Sequence, residues 1–204
     1  MNFVGHSVVA GWFEDDPRFV LGAMLPDFAS MCGDRIAAIH SDVVGRGVEH
    51  HHQADAVFHQ LPWFLQRMRR LSHQLRVAGL GRGPALGAAH VGIEIALDAV
   101  LASAGRESFD AALDAAGPEL VDFKKTETGP RFVELIARLR AGSPAAGARE
   151  VARRVRGTLS RRPRLALSDR DMPGLEDALA AHLQEISESA GDLLGALRVR
   201  LGAD

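Results

Sequence analysis

One cysteine, no tyrosine and almost no strand-like alternation are the first features of this 204-residue sequence. With Cys32 alone, neither an intrachain disulfide nor a thiolate metal site can form within the chain, and nothing asks for an oxidising compartment. Aromatic residues make up only 5%, and runs alternating Val, Ile, Thr and Tyr are nearly missing, which argues against a sheet-based fold. Neither charge is in excess: 24 Lys and Arg stand against 26 Asp and Glu, a formal net charge of -2. A domain that neutralises many phosphates carries a clear basic excess, so nucleic acid is not an expected partner. No run reaches the ~18 charge-free apolar residues of a spanning helix, so no membrane is expected either. Residues 1–12 lack a basic leader and run directly into Glu14, Asp15 and Asp16. That is unlike a signal peptide and makes the cytoplasm the expected location. A Gly-rich phosphate loop, a Ser nucleophile elbow and a Cys–His pair are also absent.

What is present favours helix. Apolar residues make up 47% and charged residues 25% of the chain, the balance of a folded globular protein, and Ala and Leu are abundant helix formers. The expected class is all-α, a single-domain helical bundle over residues 1–204. Its metal-site core lies in about 1–103, with supporting or capping helices in about 104–204. Asn2 is placed to cap a helix over about 3–12, and Asp15-Asp16-Pro17 to start a second that Pro26 interrupts or kinks. A short helix flanked by loop is expected within 33–47. Further helices are expected over about 48–61, 62–78, 85–103, 106–115, 131–140, 145–159 and 175–197. Gly142-Ser143-Pro144 and the segment 161–173 are the last two connections.

The strongest chemical feature is Glu49-His50-His51-His52, followed by Asp55 and His59. On one helix His51, Asp55 and His59 stand four apart and line a ridge. Imidazole and carboxylate together suit zinc, manganese or iron. His90, Glu94 and Asp98 repeat the spacing inside an otherwise small and apolar stretch, where a buried carboxylate requires a counter-charge, a hydrogen-bond network or a metal. Two such ridges are how helical bundles assemble metal sites. The plainer alternatives are a solvated histidine run for the first ridge and partly exposed carboxylates for the second. For His6 the alternative is a core histidine, and for Asp27 a turn residue beside Pro26.

Three segments, in order, carry a resemblance: Met1-Asn2-Phe3-Val4-Gly5-His6, Gly22-Ala23-Met24-Leu25-Pro26-Asp27-Phe28, and Gly47-Val48-Glu49-His50-His51-His52-Gln53-Ala54-Asp55. Over roughly the first 100 residues the chain resembles the acyl carrier protein phosphodiesterases, all-helical relatives of the HD-type metal-dependent phosphohydrolases. The resemblance implies release of 4'-phosphopantetheine from acyl carrier protein with a divalent metal, manganese first, with iron, zinc or magnesium as alternatives. It places the family's opening histidine on His6, its first aspartate on Asp27, and its His-Arg-x-x-Asp element on His51, His52 and Asp55. A later acidic segment falls on Glu94 and Asp98. His52 stands where the family has arginine, His59 where it has aspartate, and Ala99 where it has histidine. The first change removes a permanent charge suited to phosphate.

The implied metal ligands are therefore His6, Asp27, His51, Asp55, Glu94 and Asp98. His59, His90 and Asp55 are the candidates for acid–base work. Acyl carrier proteins are acidic, so His52, Arg67, Arg70, Arg153 and Arg154 are the candidate docking residues. A small phosphate ester or nucleotide is the alternative substrate. A non-enzymatic helical protein with a structural metal is the rival reading.

Overall fold

Asp16 opens the longest apolar stretch of the N-terminal part by accepting from the Arg18 N–H at 2.8 Å, with Pro17 at the first helical position. In this computed structural model, which describes residues 1–142 and 147–203, the helices are α1 (Phe3–Ala10), α2 (Pro17–Met31), α3 (Asp42–Phe58), α4 (Pro62–Val77) and α5 (Arg82–Leu101). They continue with α6 (Arg106–Asp114), α7 (Thr128–Ala141), α8 (Gly147–Leu159) and α9 (Met172–Leu201). Short 3-10 turns at Pro118–Leu120 and Asp169–Asp171 complete the helical part. The protein is a mostly helical bundle with minor β content. The expected Ser143-Pro144 connection and a helix start at Ala145 fall outside the described residues.

Three local expectations are corrected. The segment 33–47 holds a strand, β1 (Ile36–Ile39), which pairs antiparallel with β2 (Val121–Phe123) in the register Ile36↔Phe123, Ala38↔Asp122, Ile39↔Val121. Strands of four and three residues are too short to show a period of two in sequence. Of the expected interruption or kink at Pro26, the interruption is corrected, because helix α2 runs on to Met31. Burial of Leu21, Met24, Leu25 and Phe28 offsets the roughly 3 kcal/mol that an interior proline costs. Helix α3 ends at Phe58, because Leu61 precedes Pro62 and is disfavoured in the helical region. His59 therefore lies in the turn beyond α3 and not on its ridge.

Helix α5 spans 20 residues, of which Arg82, Glu94 and Asp98 are charged. Among the described residues it is the one helix whose length and composition would allow it to cross a membrane. Its Ala85, Ala88, Ala89, Ile93, Ala96 and Leu97 are buried within the protein, as in the core helix of a bundle.

The contacts of the chain fall into two compact units. The first comprises Met1–Val57, Leu101–Ser143 and Ala196–Asp204, and the second Phe58–Val100 and Pro144–Gly195. In the first, Phe3 packs on Phe28 and Phe109 with ring centroids 5.7 and 5.9 Å apart, and Phe123 on Phe132 at 5.4 Å. Helices α2 and α3 cross where Gly22 meets Gly47. A methyl on Gly22 would lie 2.3 Å from the Val44 carbonyl oxygen, and one on Gly47 would lie 2.2 Å from that of Phe19. Only glycine permits this approach. In the second unit, Phe58 packs on Phe64 at 4.7 Å, and Leu71, Leu75, Ile93, Leu97, Val155 and Leu179 are fully buried.

Candidate metal centre

The α2–α3 crossing sets the position of His51, which stands one turn beyond Gly47. Its Nδ1 lies 2.8 Å from the carbonyl oxygen of Ala23, the neighbour of Gly22. A carbonyl only accepts, so Nδ1 carries the proton and Nε2 the lone pair, the arrangement in which a histidine binds metal. Burial drives the His51 imidazole down to about 3, with His6 adding to the effect. It is therefore neutral at physiological pH, as ligation requires.

His6, on α1, is fully buried and stacks on His51 with ring centroids 4.0 Å apart. His6, Asp27 and His51 each offer a ligand atom, and these atoms lie within 4.8 Å of one another. Asp55 stands beside this trio: its Oδ1 is 3.2 Å from His6 Nε2 and accepts from the Met1 amino group at 2.6 Å. Burial alone would raise the Asp55 carboxyl, but His6 and the amino group outweigh it and hold the group well below the ordinary carboxylate range. A carboxylate placed on the outer nitrogen of a histidine fixes its tautomer and orientation. Asp55 thus suits the role of positioning His6.

A second group lies in the other unit. His59 Nε2 is 2.9 Å and His90 Nε2 3.3 Å from the same oxygen, Glu94 Oε1. Ligand atoms of these three residues also fall within 4.8 Å of one another. Burial would raise the Glu94 carboxyl, yet the hydrogen bonds to His59 and His90 help to hold it well below its usual value. Asp98, one turn further along α5, is buried and belongs to neither trio.

Comparison with protein-family models, curated proteins and solved structures returned no match. The functional reading accordingly rests on the geometry of these residues. The clustered histidines and carboxylates form potential metal sites in a mostly helical protein, a combination consistent with metal-dependent hydrolysis.

The candidate docking residues engage groups of this chain. Arg70 pairs with Glu185, and Arg153 and Arg154 both reach Glu150 at 2.7 and 3.0 Å. Arg67 lies over the Trp63 ring at 4.2 Å and donates to Ser189 at 2.7 Å. His52 meets the His51 ring edge-on at 5.3 Å. His182 was given no role by sequence: it is fully buried on α9, with Nε2 2.9 Å from Gln74 Oε1. No neighbouring motif singled it out, only its place on the apolar stripe of α9.

His50, by contrast, turns away from metal chemistry. Its ring sits between Phe13 and Phe19 at 4.7 and 5.4 Å, and its buried Nε2 has no hydrogen-bond partner among the described residues. Burial, with a smaller contribution from His6, pushes it down from 6.5 to about 4. The unfolded chain takes up this proton near pH 6.5, while the folded protein resists until about pH 4. The stability that a neutral His50 contributes is complete above pH 6.5 and is lost as pH falls from there towards about 4. By pH 5 this single group is expected to cost about 1–2 kcal/mol. Urea unfolding at pH 7.5 and pH 5 should show His50→Leu losing less stability than the parent by that amount. Equal losses would mean that His50 is not the source.

Proposed function

We propose that the chain is a metal-dependent hydrolase of phosphate esters, with its ion held by His6, Asp27 and His51. The observation that carries this reading is the convergence of two buried imidazoles and one carboxylate within 4.8 Å. The residues fit a divalent ion: His51 directs its proton at the Ala23 carbonyl, and the donor set of two nitrogens and one oxygen suits manganese, iron or zinc. Manganese is the ion to test first, followed by iron, zinc and magnesium. When bound, such an ion acidifies water and draws charge from a phosphoryl oxygen. The chain's own contribution is to hold His51 neutral and to orient His6 through Asp55.

For the substrate, the resemblance to the acyl carrier protein phosphodiesterases supports release of 4'-phosphopantetheine from acyl carrier protein. His52 in place of the family's arginine leaves room for a smaller phosphate ester. The experiment is elemental analysis of untagged protein, followed by turnover of bis(4-nitrophenyl) phosphate and of phosphopantetheinylated acyl carrier protein with each ion. Bound ion together with hydrolysis of either substrate supports the proposal. Bound ion without hydrolysis of either would favour a structural metal in a non-enzymatic protein, and no ion after reconstitution would sink both readings.

A further inference from the structure

We infer that His59, His90 and Glu94 form a binding site of their own for a late first-row divalent ion, Zn2+ or Co2+ in preference to Mg2+ or Ca2+. The site lies wholly in the second unit, on the turn after α3 and on one face of α5, and does not depend on whether the His6 group binds metal.

Spacing is the first argument. Donor atoms ~2.0–2.1 Å from a tetrahedral ion stand about 3.3–3.4 Å from one another. The two imidazole nitrogens stand 2.9 and 3.3 Å from Glu94 Oε1, close to that spacing, and ligand atoms of all three residues lie within 4.8 Å of one another. Loading shifts each imidazole proton from Nε2 to Nδ1 and replaces two hydrogen bonds by three ligand bonds.

Rigidity is the second. The His59 ring is held between Phe58 and Phe64 at centroid distances of 5.2 and 5.0 Å, and Phe64 also meets His90 edge-on at 5.2 Å. The two imidazoles stack at 5.1 Å with an interplanar angle of 22°. His90 and Glu94 are four residues apart on α5, so the helix itself fixes their separation. The ligand side chains therefore lose little freedom on binding.

Access and selectivity follow from exposure and donor type. The side chains of His59 and His90 are 31% and 43% exposed, whereas that of Glu94 is 15% exposed. An ion can enter past the imidazoles and keep an outward position for water or an exchangeable ligand. Two nitrogens and one carboxylate oxygen form a borderline donor set, which favours zinc and cobalt over the hard ions.

The test uses untagged full-length protein titrated with Co2+, following visible absorption and bound metal per chain, then with Zn2+ in competition. His51→Asn, which removes a ligand of the first group, should retain one bound Co2+. That ion should be lost when His90→Gln or Glu94→Gln is added, and His90→Gln alone should lower the parent's uptake by one ion per chain. His90 is partly exposed, so its substitution should leave the circular dichroism and the melting curve unchanged. If neither His90→Gln nor Glu94→Gln alters the amount or spectrum of bound Co2+ in any background, the inference is overturned. Absence of an ion from the first group is distinguishable, because it would leave Co2+ uptake insensitive to His51→Asn while His90→Gln still lowered it.

Discussion

The His51→Asn protein is expected to lose the ion of the first group and to hydrolyse phosphodiesters at least about 100-fold more slowly than the parent. The magnitude follows from the cost of disturbing groups around a metal, which is already 10- to 100-fold for residues that only support a ligand. Asparagine is the informative replacement because its amide N–H can take the place of Nδ1–H on the Ala23 carbonyl, 2.8 Å from the imidazole in the parent. The contact between α2 and α3 is thereby kept while Nε2 is deleted. A companion Asp55→Asn variant keeps all three residues of the trio and removes only the charge beside His6, so its loss should be the smaller. Metal analysis alongside turnover decides the matter: a variant that keeps both ion and rate would show that His51 is a packing residue.

Gly47→Ala should be the most damaging single methyl in the first unit. The added carbon would sit 2.2 Å from the Phe19 carbonyl oxygen and 2.8 Å from the Gly22 Cα. Both are backbone atoms, so relief requires moving a helix. Overpacking of this kind costs about 1–3 kcal/mol and occasionally more, against roughly 1 kcal/mol that alanine's better helix propensity contributes in return. His51 rides on the same helix one turn later, so separation of α2 from α3 also lengthens its bond to Ala23. Urea unfolding should show the lost stability, and metal content should fall with it. Gly45→Ala is the control, since a methyl there meets nothing within 4 Å. If the two alanine variants were equally stable, close approach would not be what Gly47 supplies.

The helices and most of the candidate ligands were legible because their signals are local. Pro17 and Pro62 mark helix starts, and the apolar stretches on α2 and α5 identify core segments. His51 and Asp55 do lie on one helix, as their spacing implies. His59 leaves the ridge that its spacing implies because the effect of Pro62 on Leu61 outweighs a continuing period. Pro26 misled in the opposite direction: the cost of an interior proline is local, while the burial that offsets it comes from distant chain. The role of Gly22 and Gly47 was not legible at all. Each is an ordinary helical glycine in sequence, and only the crossing of two helices gives it meaning. The four-residue spacing of His90 and Glu94 is visible in the sequence, and His59 beside His90 is a candidate extra ligand there; that His59 reaches them from a turn and not from the α3 ridge is the tertiary part.

The first unit gathers its members from three stretches, the last being residues 196–204. Leu197 is fully buried, and the Arg198 guanidinium lies over the Trp12 ring at 4.8 Å. During synthesis at about 5–20 residues per second, the His6 group emerges early, yet the unit around it must wait for residues 196–204. Nascent chains arrested before residue 196 should therefore hold the histidines without a finished housing, and the site should mature only once residues 196–204 have emerged.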